Sequence, residues 1–288
     1  MLNGRVILIR KQKFSGTLYP STYEETISFL REKSKNEITY DMDKIIAIIA
    51  PNESYKVAGS FYVESYSAVK NYKPDLILIL SSVHNIAFNS IALPDYDSFE
   101  YFDKQFKVDK EAMEIIRSVN EKDIIYDKNF HETEFSIETQ LPMIDYTFGS
   151  EVMIAPVIMG EQNTKFTTIL ANAIGELRVK LKKRILIVIP TILSSGLNYQ
   201  QSLIKDGKFI EFFNSTEPDL LSEQLAMRVV SADSGGPIVA LLRYFKAEKI
   251  DIKTLVLKNG NSGDIIDEKN IVTGYLSAVI RTCESTNN

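Results

Sequence analysis

The chain reads as one α/β domain whose central sheet, mainly parallel or mixed, is flanked by helices. Two observations predict this. Short, near-continuous Ile/Val/Leu runs recur along the sequence, the mark of strands buried on both faces. Helical patterns with apolar residues at threes and fours fall between several of them. The 288 residues contain no internal repeat and no Pro/Gly/Ser linker, so residues 1–288 count as a single domain.

In order, Val6–Ile9 is the first apolar run and Tyr23–Lys33 the first helix. Ile45–Ala50 and Leu76–Leu80 are buried strands. Phe99–Val108 alternates aromatic with polar residues, as a hairpin does, and Asp109 then caps a helix running to Ser118. SIETQLPMI predicts a helix start with Ser136 as N-cap, where Glu138 suits the positive helix end. Val152–Ile158 and Ile185–Ile189 are strands around a Phe166–Leu181 helix, whose KLKKR end suits the carbonyl terminus. Asp219–Val230 and Pro237–Phe245 read as helices, and Thr254–Leu257 as a strand. The ends, 1–5 and 284–288, are expected to fray.

Composition excludes several classes. A net charge of −5 with scattered Lys and Arg argues against nucleic acid as a partner. Cys283 stands alone, so no intramolecular disulfide forms. No secretory pattern or membrane-length apolar stretch appears, and a cytoplasmic protein is expected. Aromatics are plentiful, at 14 Tyr and 15 Phe. Tyr62, Tyr66, Tyr72, Tyr96 and Tyr101 fall in polar stretches that predict surface positions suited to an interface.

In open α/β sheets, functional residues collect beyond the carboxyl ends of strands. Asn52, His84 and Thr191–Ser195 each follow a predicted strand, so their loops share one crevice in this reading. His84 and His131 are the only histidines, which rules out a three-histidine metal centre. His131 opens HETEFSIETQLP, with Glu132, Glu134 and Glu138 close behind. That segment has two readings: a structural one, with buried Glu–His pairs holding it against the sheet, and a ligand-facing one.

ADSGGPIV at 232–239 copies the nucleophile segment of trypsin-like proteases, with Ser234 as serine and His84 as base. Helical patterns on both sides and a lone cysteine contradict that all-β fold, so proteolysis is set aside.

Taken together, the segments resemble the Memo family, named for a mediator of cell motility and related in fold to class III extradiol ring-cleavage dioxygenases. SGTLYPSTYEE resembles the family's AGxFYP start, APNESYKVAG its APHAGYxYSG, and LSSVH its LGPSH. HETEFSIETQLPMI resembles HxxEHSxExQLPFL, VMIAPVIMG a VPIxxG strand, and NSGDIIDEKNIVTGYLSAVI the TSGD…VGYxA close. Nearly the whole chain is covered, in order.

The resemblance implies metal-ligand histidines in APH, PSH and SSDxSH, and a cysteine in CGxxPI. Here Asn52, Ser195 and Asp233 replace the first, third and fourth, Phe135 replaces the second histidine of HxxEHSxE, and His84 keeps its place. The site therefore reads as degenerate. His84, His131 and Glu138 are the cleft candidates, and Asn52, His84 and Asp233 form at most a weak metal set, for Fe²⁺ or another divalent ion, with no tightly bound cofactor. The expected function is non-catalytic binding of a small ligand in the cleft or of a protein, as a homo-oligomer or beside a Memo-like subunit. The alternative is a metal-dependent, dioxygenase-like enzyme with a rebuilt Asn/His/Asp site.

Overall fold

A row of small and branched apolar residues sets the centre of the molecule. Ala47, Ile187, Leu78 and Ala155 sit side by side on four adjacent parallel strands, each at most 1% exposed. The computed structural model describes residues 6–36, 38, 40 and 44–283; the ends expected to fray lie outside the described residues. In chain order the strands are β1 (Ile9–Arg10), β2 (Ile45–Ala50), β3 (Leu76–Ser82), β4 (Ile91–Leu93), β5 (Ser98–Tyr101) and β6 (Lys104–Lys107). They continue as β7 (Ile124–Tyr126), β8 (Met153–Met159), β9 (Ile185–Pro190), β10 (Ser195–Leu197), β11 (Ile252–Asn261) and β12 (Val272–Thr282).

The helices are α1 (Tyr23–Lys33), α2 (Tyr55–Ser67), α3 (Lys110–Ser118), α4 (Lys128–Glu132) and α5 (Leu141–Phe148). They are followed by α6 (Thr164–Lys180), α7 (Tyr199–Asn214), α8 (Pro218–Ala226) and α9 (Gly235–Ala247).

The large sheet runs β10-β12-β2-β9-β3-β8-β4-β7, with β11 also paired to β12. Its heart, β2-β9-β3-β8, is parallel, whereas β12 joins β2 and β4 joins β8 antiparallel, so the sheet is mixed. β2, β3 and β9 are buried along their whole length, which explains their unbroken apolar sequences. A small second sheet, β1-β5-β6, contains the expected hairpin. One hydrophobic core cluster includes residues of both sheets and of the helices that cover them.

Several local expectations are met. α1 takes its predicted span, Asp109 caps α3 through the amide of Ala112, and α6 ends at Lys180, the first residue of KLKKR. Others are corrected. Val6 and Ile7 are 75% and 61% exposed, and only Ile9–Arg10 pairs, with β5. Ser136 does not cap a helix; its hydroxyl lies 2.6 Å from that of Ser81, and a 3-10 turn at Glu138–Gln140 leads into α5. The expected surface tyrosines are core residues: Tyr62, Tyr66, Tyr96 and Tyr101 are buried and only Tyr72 is half-buried. Their rings pack on other aromatic side chains, edge-on as Tyr96 does on Phe99 and stacked as Tyr62 does on Tyr55 at 4.3 Å, and polar neighbours in sequence masked this.

Candidate functional site

The sheet order decides which loops can meet. β2, β9 and β3 are neighbours, so the segments leaving their carboxyl ends bring Asn52, Thr191 and His84 to one crevice. Asp233 arrives from the turn before α9. Gly235 and Gly236 allow that close approach, since a Cβ at Gly236 would come within 2.8 Å of Met159 Sδ and at Gly235 within 2.8 Å of a Leu225 methyl.

His84 lies between two carboxylates. Its Nδ1 is 2.8 Å from Glu134 Oε1 and its Nε2 is 2.8 Å from Asp233 Oδ2. Burial pulls the imidazolium down, but the hydrogen bonds and negative charges of Asp233 and Glu134 outweigh it and raise its pKa to about 10. Glu134 is pushed up by burial and more strongly down by His84 and the Ser136 amide, so its carboxyl stays below the ordinary range. Glu134 also accepts from the backbone amides of His84, at 3.0 Å, and of Phe135 and Ser136, both at 3.1 Å. Phe135 covers the imidazole, with ring centroids 4.7 Å apart.

Asp233 is held as firmly on its other oxygen. Oδ1 accepts from Thr191 Oγ1 at 2.5 Å, from the Ile192 amide at 2.9 Å and from the Ser234 amide at 2.8 Å. Asn52 Nδ2 donates to Asp233 Oδ2 at 2.8 Å and lies 3.1 Å from His84 Nε2, while its Oδ1 is buried without a hydrogen-bond partner among the described residues. The cluster thus has one cation between two anions, with an amide donor completing it.

His131 and Glu138 are not part of this cluster. His131 is 1% exposed, its Nε2 lies 3.1 Å from the Ala92 carbonyl, and burial lowers its pKa to about 4. Glu138, 0% exposed, pairs with Arg10, itself 1% exposed, and accepts from the Phe14 amide and Tyr19 Oη, each at 2.7 Å. Of the two readings of HETEFSIETQLP, the structural one describes these residues: Arg10 also donates to the carbonyls of His131 and Glu134. Gln140 and Tyr55 pin the same segment to the β2 loop, through the Pro51 and Thr139 carbonyls at 2.8 Å each.

Ser195 is exposed on β10 and stays outside the cluster, which only Thr191 and Ile192 of its loop enter. Ser234 is 0% exposed, and its hydroxyl lies 3.4 Å from Ser82 Oγ rather than on His84. Two members escaped the sequence reading of the site. Glu134 was visible in HETEF but carried no sign that it would reach His84. Gln162, which donates from Nε2 to the Asp233 carbonyl at 2.6 Å, lies in an unremarkable polar stretch.

The Memo-like protein family model matches residues 10–279. This chain belongs to the Memo family. A MEMO1 family protein of Thermotoga sp. (strain RQ2) is 28% identical over 283 residues, covering 94% of this chain and 99% of that protein. A MEMO1 family protein of Sulfurisphaera tokodaii is 28% identical over 235 residues, 80% of each chain. The fold is also similar to the crystal structure of an uncharacterized protein of Escherichia coli K12, with a TM-score of 0.51 and 10% identity. That match covers 82% of this chain and 99% of the other.

The family resemblance implies a metal at this crevice, where the side chains in place are His84, Asp233 and the Asn52 amide. Among the described residues no group of three or more His, Cys, Asp and Glu side chains has metal-holding geometry. Asn52 turns its proton-bearing nitrogen to the cluster, and an amide N–H₂ is no ligand. No helix among the described residues is long and apolar enough to cross a membrane.

Proposed function

We propose that this Memo-family chain is a non-catalytic member that binds a small ligand or a protein partner at the crevice of Asn52, His84 and Asp233. In this reading the crevice holds a proton where the family pattern implies a metal. One observation carries it: both ring nitrogens of His84 face carboxylates, so its lone pairs are occupied by protons near neutral pH. An imidazolium with a pKa of about 10 is a poor general base at neutral pH. Ser195 and Phe135, at positions where the family pattern has histidine, supply no replacement base. Association, as a homo-oligomer or with a Memo-like subunit, is the corresponding mode of action.

The test is elemental analysis of tag-free protein, followed by calorimetric titration with Fe²⁺, Mn²⁺ and Zn²⁺, with light scattering for assembly state. The expected result is sub-stoichiometric metal, no saturable metal binding, and a species larger than one chain. Near-stoichiometric metal that is lost on His84→Ala, with turnover of a catechol after Fe²⁺ addition, overturns the reading in favour of the rebuilt enzyme. In that case the Asn52 amide must rotate to present Oδ1. This oxygen would then face Asp233 Oδ2, an arrangement that a cation between them would stabilise.

A further inference from the structure

A cavity of about 580 Å³ lies beside the crevice, between the start of α6, α8 and the Ser231–Gly236 turn. That volume falls in the range of small-molecule sites. It shares a wall with the cluster: Gln162 lines it while bridging the Asp233 carbonyl and the Gly236 amide, at 2.6 and 2.5 Å. We propose that it binds a small aliphatic phosphomonoester, with Arg228 and Lys205 as the groups that neutralise the phosphate.

Charge is the first argument. The lining holds two cations, Lys205 and Arg228, and no carboxylate, in a chain whose net charge is −5. Neither cation forms an ion pair among the described residues, although neighbouring ones do. Arg243 reaches Asp219 at 2.8 Å, Lys246 reaches Glu217 at 2.5 Å, and Lys165 reaches Asp123 at 2.7 Å. Asp206, the carboxylate that feels Lys205, turns inward to the Ser194 amide at 2.9 Å and Ser202 Oγ at 3.0 Å. Two unbalanced cations match a phosphate monoester, which carries about −1.5 to −2 near neutral pH. A guanidinium grips it through two parallel N–H donors.

The rest of the wall defines the body of the ligand. Thr164, Ser222 and Ser231 offer hydroxyls, and Leu225, Val230 and Val239 offer apolar contact. No aromatic side chain lines the cavity, so a nucleobase or phenyl ring has no stacking platform. Arg228 is held with φ of 59°, a left-handed conformation that favours glycine, in a turn closed by its amide on the Leu225 carbonyl at 3.0 Å. Its side chain lines the cavity without an ion-pair partner among the described residues.

The inference rests on the binding reading above and names a ligand class for it. Lys205 and Arg228 make none of the contacts that hold Asn52, His84 and Asp233, so losing phosphate binding and gaining a metal are separate outcomes. The experiment titrates the full chain with glycerol 3-phosphate, with glycerol and phenyl phosphate alongside, by calorimetry and phosphorus NMR. Saturable binding of glycerol 3-phosphate is expected, with none for glycerol and no gain for phenyl phosphate. Arg228→Gly and Lys205→Met should each weaken it by roughly tenfold or more. Arg228→Gly should keep the thermal midpoint because glycine suits that backbone. Absence of saturable binding to the native chain at millimolar concentration, equal binding of glycerol, or unchanged affinity in both variants would overturn the proposal.

Discussion

Asp233 Oδ2 lies 2.8 Å from His84 Nε2, and the same aspartate fixes the β9 loop through Thr191 and Ile192. The charge of the crevice and the position of a sheet-end loop therefore depend on one side chain. Asp233→Asn removes one of the two charges that raise the His84 pKa, so that pKa should fall from about 10 toward its ordinary 6.5. Proton NMR of the imidazole against pH is the measurement. An unshifted titration in the variant would refute the pairing.

The same cluster gives stability a defined pH window. His84 is raised above its ordinary 6.5, so its contribution is full below that value and lost as pH climbs through about 10. Glu134 is lowered from 4.5, so its contribution is full above that value and lost as pH falls through the depressed one. Urea midpoints should show both limbs, and His84→Gln should remove the alkaline one.

The buried pair Arg10–Glu138 is expected to behave as a unit. Either Arg10→Met or Glu138→Gln leaves a buried partner without its counter-charge and should cost about 3–5 kcal/mol. The double variant should cost well under the sum, because neither charge remains stranded. Strict additivity in chemical denaturation would rule out the coupling.

His131 is held neutral, with a pKa lowered to about 4, and its Nδ1 has no hydrogen-bond partner among the described residues. The sign is that of a depressed base. Its contribution is present above the ordinary 6.5 and lost as pH falls through about 4. His131→Gln keeps a donor for the Ala92 carbonyl and should blunt the acid limb of unfolding.

Ser234 should not react with a fluorophosphonate probe. The serine is 0% exposed, and His84 is committed to Glu134 and Asp233. Mass spectrometry of probe-treated protein checks this, and stoichiometric labelling at Ser234 would show the reading wrong.

The strands that carry the crevice were legible because β2, β3 and β9 are apolar on both faces. Ile45–Ala50 and Tyr23–Lys33 coincide with their predicted spans. What escaped did so for physical reasons particular to each element. α2, YKVAGSFYVESYS, is buried nearly all round, so no polar face marks its period. β12 contains Gly274 and Ser277 at buried positions, the serine made tolerable by its Oγ donating to the Phe61 carbonyl at 2.7 Å. Within the site, Asn52 and His84 could be nominated as residues that follow strands, and Asp233 from the family resemblance. The second carboxylate on His84 could not, because the geometry of the HETEF segment depends on Arg10, more than a hundred residues earlier in sequence.

The crevice draws on three neighbouring strand ends, one helix start and the segment that carries Glu134, each delivering its side chain from an independent turn. Such a layout separates inheritance of the scaffold from inheritance of the chemistry. Asn52, His84 and Asp233 all lie outside the paired strands, so an exchange at one of them leaves the strand registers in place, although at Asp233 it also releases the β9 loop. The fold can thus persist through generations of drift while its crevice is rewritten one position at a time.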